Sequence, residues 1–494
     1  MSRPHPRAAT ALATTLALAA GPAAALTAPE LWEDWIETSA RLGLVVDAES
    51  EDYSDGTLRL TGLTLTQAAE TLGMSTDSVT RFAEVSLVED GDAVRIEVPA
   101  SVEVTSTSTV DGETTTATGR YETEGLDYVA RDVDGARVYE LEAALVAYVI
   151  DDVTDGRSEV APVPLRVEMR DVASEATVAQ DGGYEQSLTA ASFAVNVDSS
   201  AEPGGAVIDY ALDAVSGEMT GRIPEAAAEP GSVSPIGLMG TFDLSLAHQG
   251  SRSSFDGQAP QGRIVLRSRS DEGGATMALD EAGLEVEARD AGGETTLELP
   301  MLASPVDLTT EETRVGLTVP LAVGAAEPYA LDIALRELVI NDATWDLFDP
   351  TGQLDRTPAT LVVSLAGEAE VLVDLRGDVE AAMAFEGAPV RPETLNLTEV
   401  LLRVAGAELT ASGALTFPEG GPVPQPVGTI DLALTGGMAL LDGLVALGVV
   451  APQQAAGARA MAGVFGRPVG EDRLESTIAF GEDGSITANG LQLR

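Results

Sequence analysis

Apolar and polar residues alternate with a period of two along most of this chain. In VSLVEDGDAVRIEV, Val85 and Leu87 fall on one face of a segment, and Val94, Ile96 and Val98 on the matching face of the next. An Asp-Gly pair between two such runs predicts a tight hairpin, because both central residues of a type I′ turn need positive φ. Nine such pairs begin at Asp55, Asp90, Asp111, Asp134, Asp155, Asp181, Asp256, Asp442 and Asp483, and all but the one at Asp442 lie in strand-like surroundings. Between Asp90 and Asp181 they recur every 21 to 26 residues. At ~3.3 Å per residue, that interval holds two strands of about eight to ten residues and a second turn. The Asp-Gly turns of this region are therefore expected along one rim of an antiparallel meander. The most regular hairpin, residues 102–123, is threonine-rich and suits a solvated or edge pair.

Two stretches break the alternation. Thr27 and Glu30 form a capping box ahead of Trp32, Trp35 and Ile36, which predicts a helix packed over the end of the sheet. Residues 436–466 read as two short helices split at Ala451-Pro452, expected to lie across the sheet as a lid. GRIPEAAAEPGSVSPIG, residues 221–237, reads as a linker between residues 26–220 and a second β region, 238–494. GTFDLSL at Gly240 and GTIDLAL at Gly428 each follow a Pro/Glu-rich crossing. The pair fits either an internal duplication or convergence of short strands.

The first 25 residues carry Arg3, Arg7, a short apolar run and an A-x-A site ending at Ala25, the pattern of a cleaved secretory signal. No later stretch is apolar for long enough to span a membrane, so no transmembrane segment is expected after signal removal. With an export signal and no cysteine, the bacterial periplasm is the expected compartment. The net charge of −52 repels nucleic acid and anionic headgroups, and an acidic solvated surface explains it.

The inventory narrows the chemistry. No lysine stands anywhere, and His248 is the one histidine outside the signal. A Schiff base, a phosphate-loop lysine and a histidine-rich zinc site are thereby excluded. A Ser-His-Asp triad would have to use His248, which reads as a surface turn residue beside a Gly–Ser loop. An EF-hand template started at Asp151 fails at Val153 and Pro162. No cofactor and no metal is expected.

WDLFDPTGQLDRTP, residues 345–358, is the least ordinary segment, joining two alternating runs. Pro350 and Pro358 stop regular pairing. Trp345 and Phe348 are expected to plug the sheet end, with Asp349 or Asp355 pairing with Arg356. The competing catalytic reading would use Asp349 and Asp355 as acid and base, but with 80 acids in the chain such pairs arise freely.

This segment, with the following A-T-L-V-V-S-L-A-G, resembles an uncharacterised periplasmic family of alphaproteobacteria, domain of unknown function 2125. The strand G-T-I-D-L-A-L-T-G, its helical pair, the closing hairpin and G-T-L-R-L-T-G at Gly56 are similar to that family too. Asp355 stands where the family typically has proline. The resemblance implies fold and compartment and brings no catalytic residues.

The expected protein is mainly β: an elongated antiparallel meander or curved sheet, with an N-terminal helix and a C-terminal helix pair. If the sheet curls incompletely it leaves an apolar groove. The favoured function is non-enzymatic binding of an apolar, lipid-like ligand or of an envelope protein partner. A structural or assembly role with a fully internal core is the alternative, and a carboxylate-pair hydrolase the third.

Overall fold

The computed structural model describes residues 25–71, 74–110, 113–154, 159–160, 164–200, 204–223, 241–373, 375, 388–418 and 425–493. The signal segment through Ala24, and residues 224–237 of the expected linker, lie outside them.

Helix α1 (Ala28–Arg41) starts at Thr27 with the capping box in place: the Glu30 amide donates to the Thr27 hydroxyl, and Thr27 donates back to the Glu30 carboxylate. All strands then join one sheet in which every pairing is antiparallel and neighbours follow one another in sequence. β1 (Leu44–Asp47) and β2 (Ser50–Ser54) form the first edge, followed by β3 (Thr57–Thr71) and β4 (Met74–Asp90). β5 (Ala93–Glu97) and β6 (Ser101–Val110) are one interrupted strand, as are β7 (Glu113–Glu124) and β8 (Asp127–Val133). Next come β9 (Ala136–Thr154), the short β10 (Glu159–Val160), β11 (Leu165–Ala179), β12 (Gly183–Asp198) and β13 (Ala206–Arg222).

β14 (Thr241–His248) and β15 (Ser251–Ala259) share the next position, and β16 (Gly262–Ser270) with β17 (Glu272–Leu279) the one after. β18 (Gly283–Glu298), β19 (Val306–Pro320) and β20 (Glu327–Ile340) lead to helix α2 (Asp342–Phe348) and β21 (Ala359–Val371). β22 (Val390–Pro392), β23 (Thr394–Val404), β24 (Ala407–Thr416) and β25 (Val427–Thr435) continue the ribbon. Helices α3 (Gly437–Ala446) and α4 (Pro452–Phe465) precede β26 (Arg467–Gly470), β27 (Arg473–Phe480), β28 (Ile486–Ala488) and β29 (Leu491–Gln492). β13 pairs directly with β14, so the regions before and after the expected linker form one sheet. Roughly twenty strand positions at ~4.8 Å give a ribbon on the order of 90 Å across.

The Asp-Gly expectation needs correction. The interval between successive pairs holds one long strand, not two short ones. The turns at Asp90, Asp134 and Asp181 lie on one rim, whereas β6 ends and β7 begins on the other; the pairs at Asp111 and Asp155 lie outside the described residues. The reason is length: a strand interrupted at its middle, as at Pro99 or Gly125, reads from sequence as two. Asp256-Gly257 is no turn at all but sits inside β15, where Asp256 faces Arg263 across the strand pair.

Directly opposed residues of an antiparallel pair share a face. One face carries α1. There Leu31 and Trp32 bury against Leu58, Leu60, Leu87, Val94, Ile96 and Ala130. We call this face inner.

Halfway along the strands, the alternation skips. In β13 the inner residues are Ile208, Tyr210 and Leu212, then Val215, Gly217 and Met219, so Asp213 and Ala214 both face outward. β12 skips at the same level, with Phe193 opposite Leu212 and Ala190 opposite Val215. Val172, Ala190, Leu212 and Val215 pack as one buried cluster with Met169 and Phe193. Residues three apart on one strand meet only where the strand bends, and the side with the extra residue is the longer one. The sheet is thus creased as far as β20, concave on the inner side, while β21, β24 and β25 alternate without a break. Left-handed residues mark the crease on several strands: Gly62, Asp171, Ala214, Gly292 and Glu337 have φ of 61°, 48°, 46°, 66° and 52°. At Gly292, a Cβ would run into the Asp271 side chain, so glycine fits both the backbone and the space.

The outer face is polar. Arg289 and Arg336 bracket Glu312 at 3.0 and 3.4 Å, and Arg314 meets Glu287 at 3.3 Å. Exposed pairs like these stabilise little individually but keep the outer surface wet.

Candidate functional site

The inner face is an apolar trough. One row of opposed residues runs Leu246, Ala275, Ala288, Val315, Ile333 and Val363. The row beside it runs Met277, Val286, Leu317, Leu331, Leu365 and Leu397. These residues are not sealed: Val315 is 49% and Leu317 42% exposed, and Leu402, further along the face, 40%. A core with this composition would be closed, so the exposure is a property of the open crease. α1 covers the face at the N-terminal end.

The helix pair is no lid over these rows. α3 touches β24 and α4 touches β26. Asp472 accepts the Met438 and Ala439 amides at 2.8 and 2.9 Å, and Arg459 pairs with Asp442. Val449, Met461 and Val464 stay exposed.

Charge is almost absent from the trough. On the described strands from β11 to β27, register places only Asp290 and Glu327 of the formally charged residues on the inner face. Glu327 is the first residue of β20, at the rim, whereas Asp290 sits at the crease.

A polar group surrounds Asp290. Ser270 donates to its Oδ1 at 2.8 Å, and Ser251 and Ser270 share a hydrogen bond of 2.6 Å. His248 Nε2 lies 3.5 Å from the same Oδ1, and its Nδ1 accepts the Gly250 amide at 3.4 Å. His248 is therefore not the surface turn residue expected from sequence. It ends β14 on the inner face and is 7% exposed. His248 and Asp290 reach one another across Gly273, the residue opposite both, where a Cβ would meet the atoms of each. The signal was the Gly273-Gly274 pair inside a strand pattern, which marks a close approach. Serine, histidine and aspartate thus converge, yet both other side chains point to the carboxylate. Among the described residues no serine meets the imidazole, so nucleophile and base are not in contact.

The singled-out segment is structural in its geometry. Asn341 caps α2 by accepting the Thr344 amide at 3.2 Å. Asp349 is wholly buried, and its two carboxylate oxygens accept the Gln353 and Leu354 amides, each at 2.8 Å. Burial opposes its ionisation, but those amides and the nearby Arg356 outweigh it and hold the carboxyl below its ordinary range. Contrary to expectation, Arg356 pairs with neither the Asp349 nor the Asp355 carboxylate. It donates to Asp342 at 3.0 Å, Asp346 at 2.7 Å and the Asp349 carbonyl at 3.2 Å, and lies over the Trp345 ring. The expected partners were wrong because α2, unseen in the sequence, puts Asp342 and Asp346 one turn apart on one side. Trp345 stacks at a tilt on Phe348, 4.8 Å between centroids, while Phe348 remains exposed. Asp355 accepts the Thr357 amide, Pro350 is exposed, and Pro358 immediately precedes β21. These residues cap and brace a crossing, and no acid–base pair is formed there.

An open, creased antiparallel ribbon whose inner face carries only Asp290 and Glu327 as charged residues between β11 and β27 defines a β-trough protein. The chain belongs to the family described as an uncharacterised protein conserved in bacteria, domain of unknown function 2125, whose model matches residues 238–493. No curated protein and no solved structure matches it.

Proposed function

We propose that this is a non-enzymatic binding protein of the bacterial periplasm that carries the hydrocarbon chain of a lipid in its trough. One observation carries the reading: unbroken rows of Leu, Val, Ile and Ala line a face that stays partly open to solvent. Each methylene taken from water onto such a surface contributes about 0.8 kcal/mol. Along the two rows the lining is apolar and imposes no competing desolvation of ions. The export signal read in residues 1–25 supports the compartment. A fully internal core is disfavoured by the exposure of Val315 and Leu317. A carboxylate-pair hydrolase is disfavoured because Asp290 and Glu327 lie on different strands, one at the crease and one at the rim.

Native mass spectrometry of protein purified from its host should show co-isolated lipid. The double variant Val315→Asp, Leu317→Asp should lose that lipid with little change in melting temperature, since both side chains are already half in water. Protein recovered consistently free of lipid would overturn the reading.

A further inference from the structure

Among the acidic residues of the described strands from β11 to β27, one stands at mid-trough. Asp290 keeps a half-exposed side chain, and the rows next to its own, through Ala288 and Val286, are apolar. Its Oδ1 holds Ser270 and faces His248, whereas no hydrogen bond within the described residues reaches Oδ2. The same level of the face is rich in hydroxyls: Ser268 bonds Thr295 at 2.9 Å, and Thr313 lies opposite Asp290. The Tyr210 phenol, raised first by burial, also feels the charge of Asp290.

We propose that Asp290 anchors the head of the ligand, accepting the ammonium group of an amphiphile whose alkyl chain runs along the apolar rows. The proposal rests on the trough reading above and adds to it a ligand class.

Several features favour a cation. The arginines of these strands face outward by register, so the trough holds no countercharge for an anionic head. A carboxylate with one oxygen engaged and one open accepts an N–H donor without first losing an internal bond. The group is also not a spare core acid. A carboxylate kept only to brace Ser270 would have no need of half its surface in solvent.

The experiment compares decylamine, decanol and decanoate, below their micellar concentrations and at neutral pH, by calorimetry on the full chain. The expected order is amine, alcohol, carboxylate, with about a tenfold gap between the first two, the size of one modest charge pair. Asp290→Asn should bring the amine down to the alcohol and leave the alcohol unchanged. Glu327→Gln should preserve the gap. If the gap survives Asp290→Asn, or is missing in the unaltered protein, the anchor is overturned. If decanol itself fails to bind, the trough reading falls and takes the anchor with it. Should Asp290→Asn melt below the assay temperature, Asp290→Glu against Asp290→Gln makes the same comparison: only the charged variant should keep the amine preference.

Discussion

Asp349 is buried and yet ionised more readily than an ordinary aspartate, because two backbone amides converge on it. A carboxyl whose folded-state pKa is depressed adds stability that is complete above the unfolded pKa, about 4, and is lost as pH falls through the folded value. Asp349→Ala should therefore melt below the unaltered protein at neutral pH, and the gap should narrow as pH drops below about 4. Melting curves from pH 7 to pH 2.5 check this, and a gap that widened in acid would contradict it. Little of this was legible beforehand. The sequence marks residues 345–358 as unusual through Pro350 and Pro358, but it does not say which backbone amides an aspartate will collect. The same holds for His248 and Asp290, 42 positions apart, which meet only because Gly273 separates them in the sheet.

At the level of elements, local rules carried furthest. The Thr27–Glu30 box and the apolar positions of α1 identify the helix and the face it buries. Thr27→Ala should cost about 1 kcal/mol, and Trp32→Ala about 3–5 kcal/mol. In both variants hydrogen exchange should quicken in β3 to β5 and stay unchanged in β18 to β25. A loss of protection along the whole ribbon would show that α1 secures more than its own end. The hairpin of β4 and β5 was legible too, since Leu87 does oppose Ile96. Strand length was not. Glycine carries the same letter in a turn, a strand break and a regular strand, so left-handed Gly125 between β7 and β8 and extended Asp256-Gly257 inside β15 mislead in opposite directions. α2 was missed because Pro350 follows it so closely that seven residues offered too short a pattern for a helix.

For the whole molecule, nearly every contact is between adjacent strands. In such a one-dimensional assembly, stability is close to a sum of neighbouring interfaces, and unfolding need not be all-or-none. Alternation announced a mainly antiparallel β-protein, and that holds. What it withheld was openness, because alternation states that a strand has an apolar side and is silent on what, if anything, that side meets.

The crease has one further consequence. From β11 to β20 the strands step over it at the same level, so that part of the ribbon behaves like a text with a fixed reading frame. Adding a single residue between Gly283 and Asp290 would invert one arm of β18, turning Leu284 and Val286 to water and drawing Glu285 and Glu287 inside. Adding two would restore the phase and merely lengthen the arm toward the rim. The one-residue variant should fail to accumulate as folded protein while the two-residue variant does, and equal tolerance of both would mean the frame is not enforced.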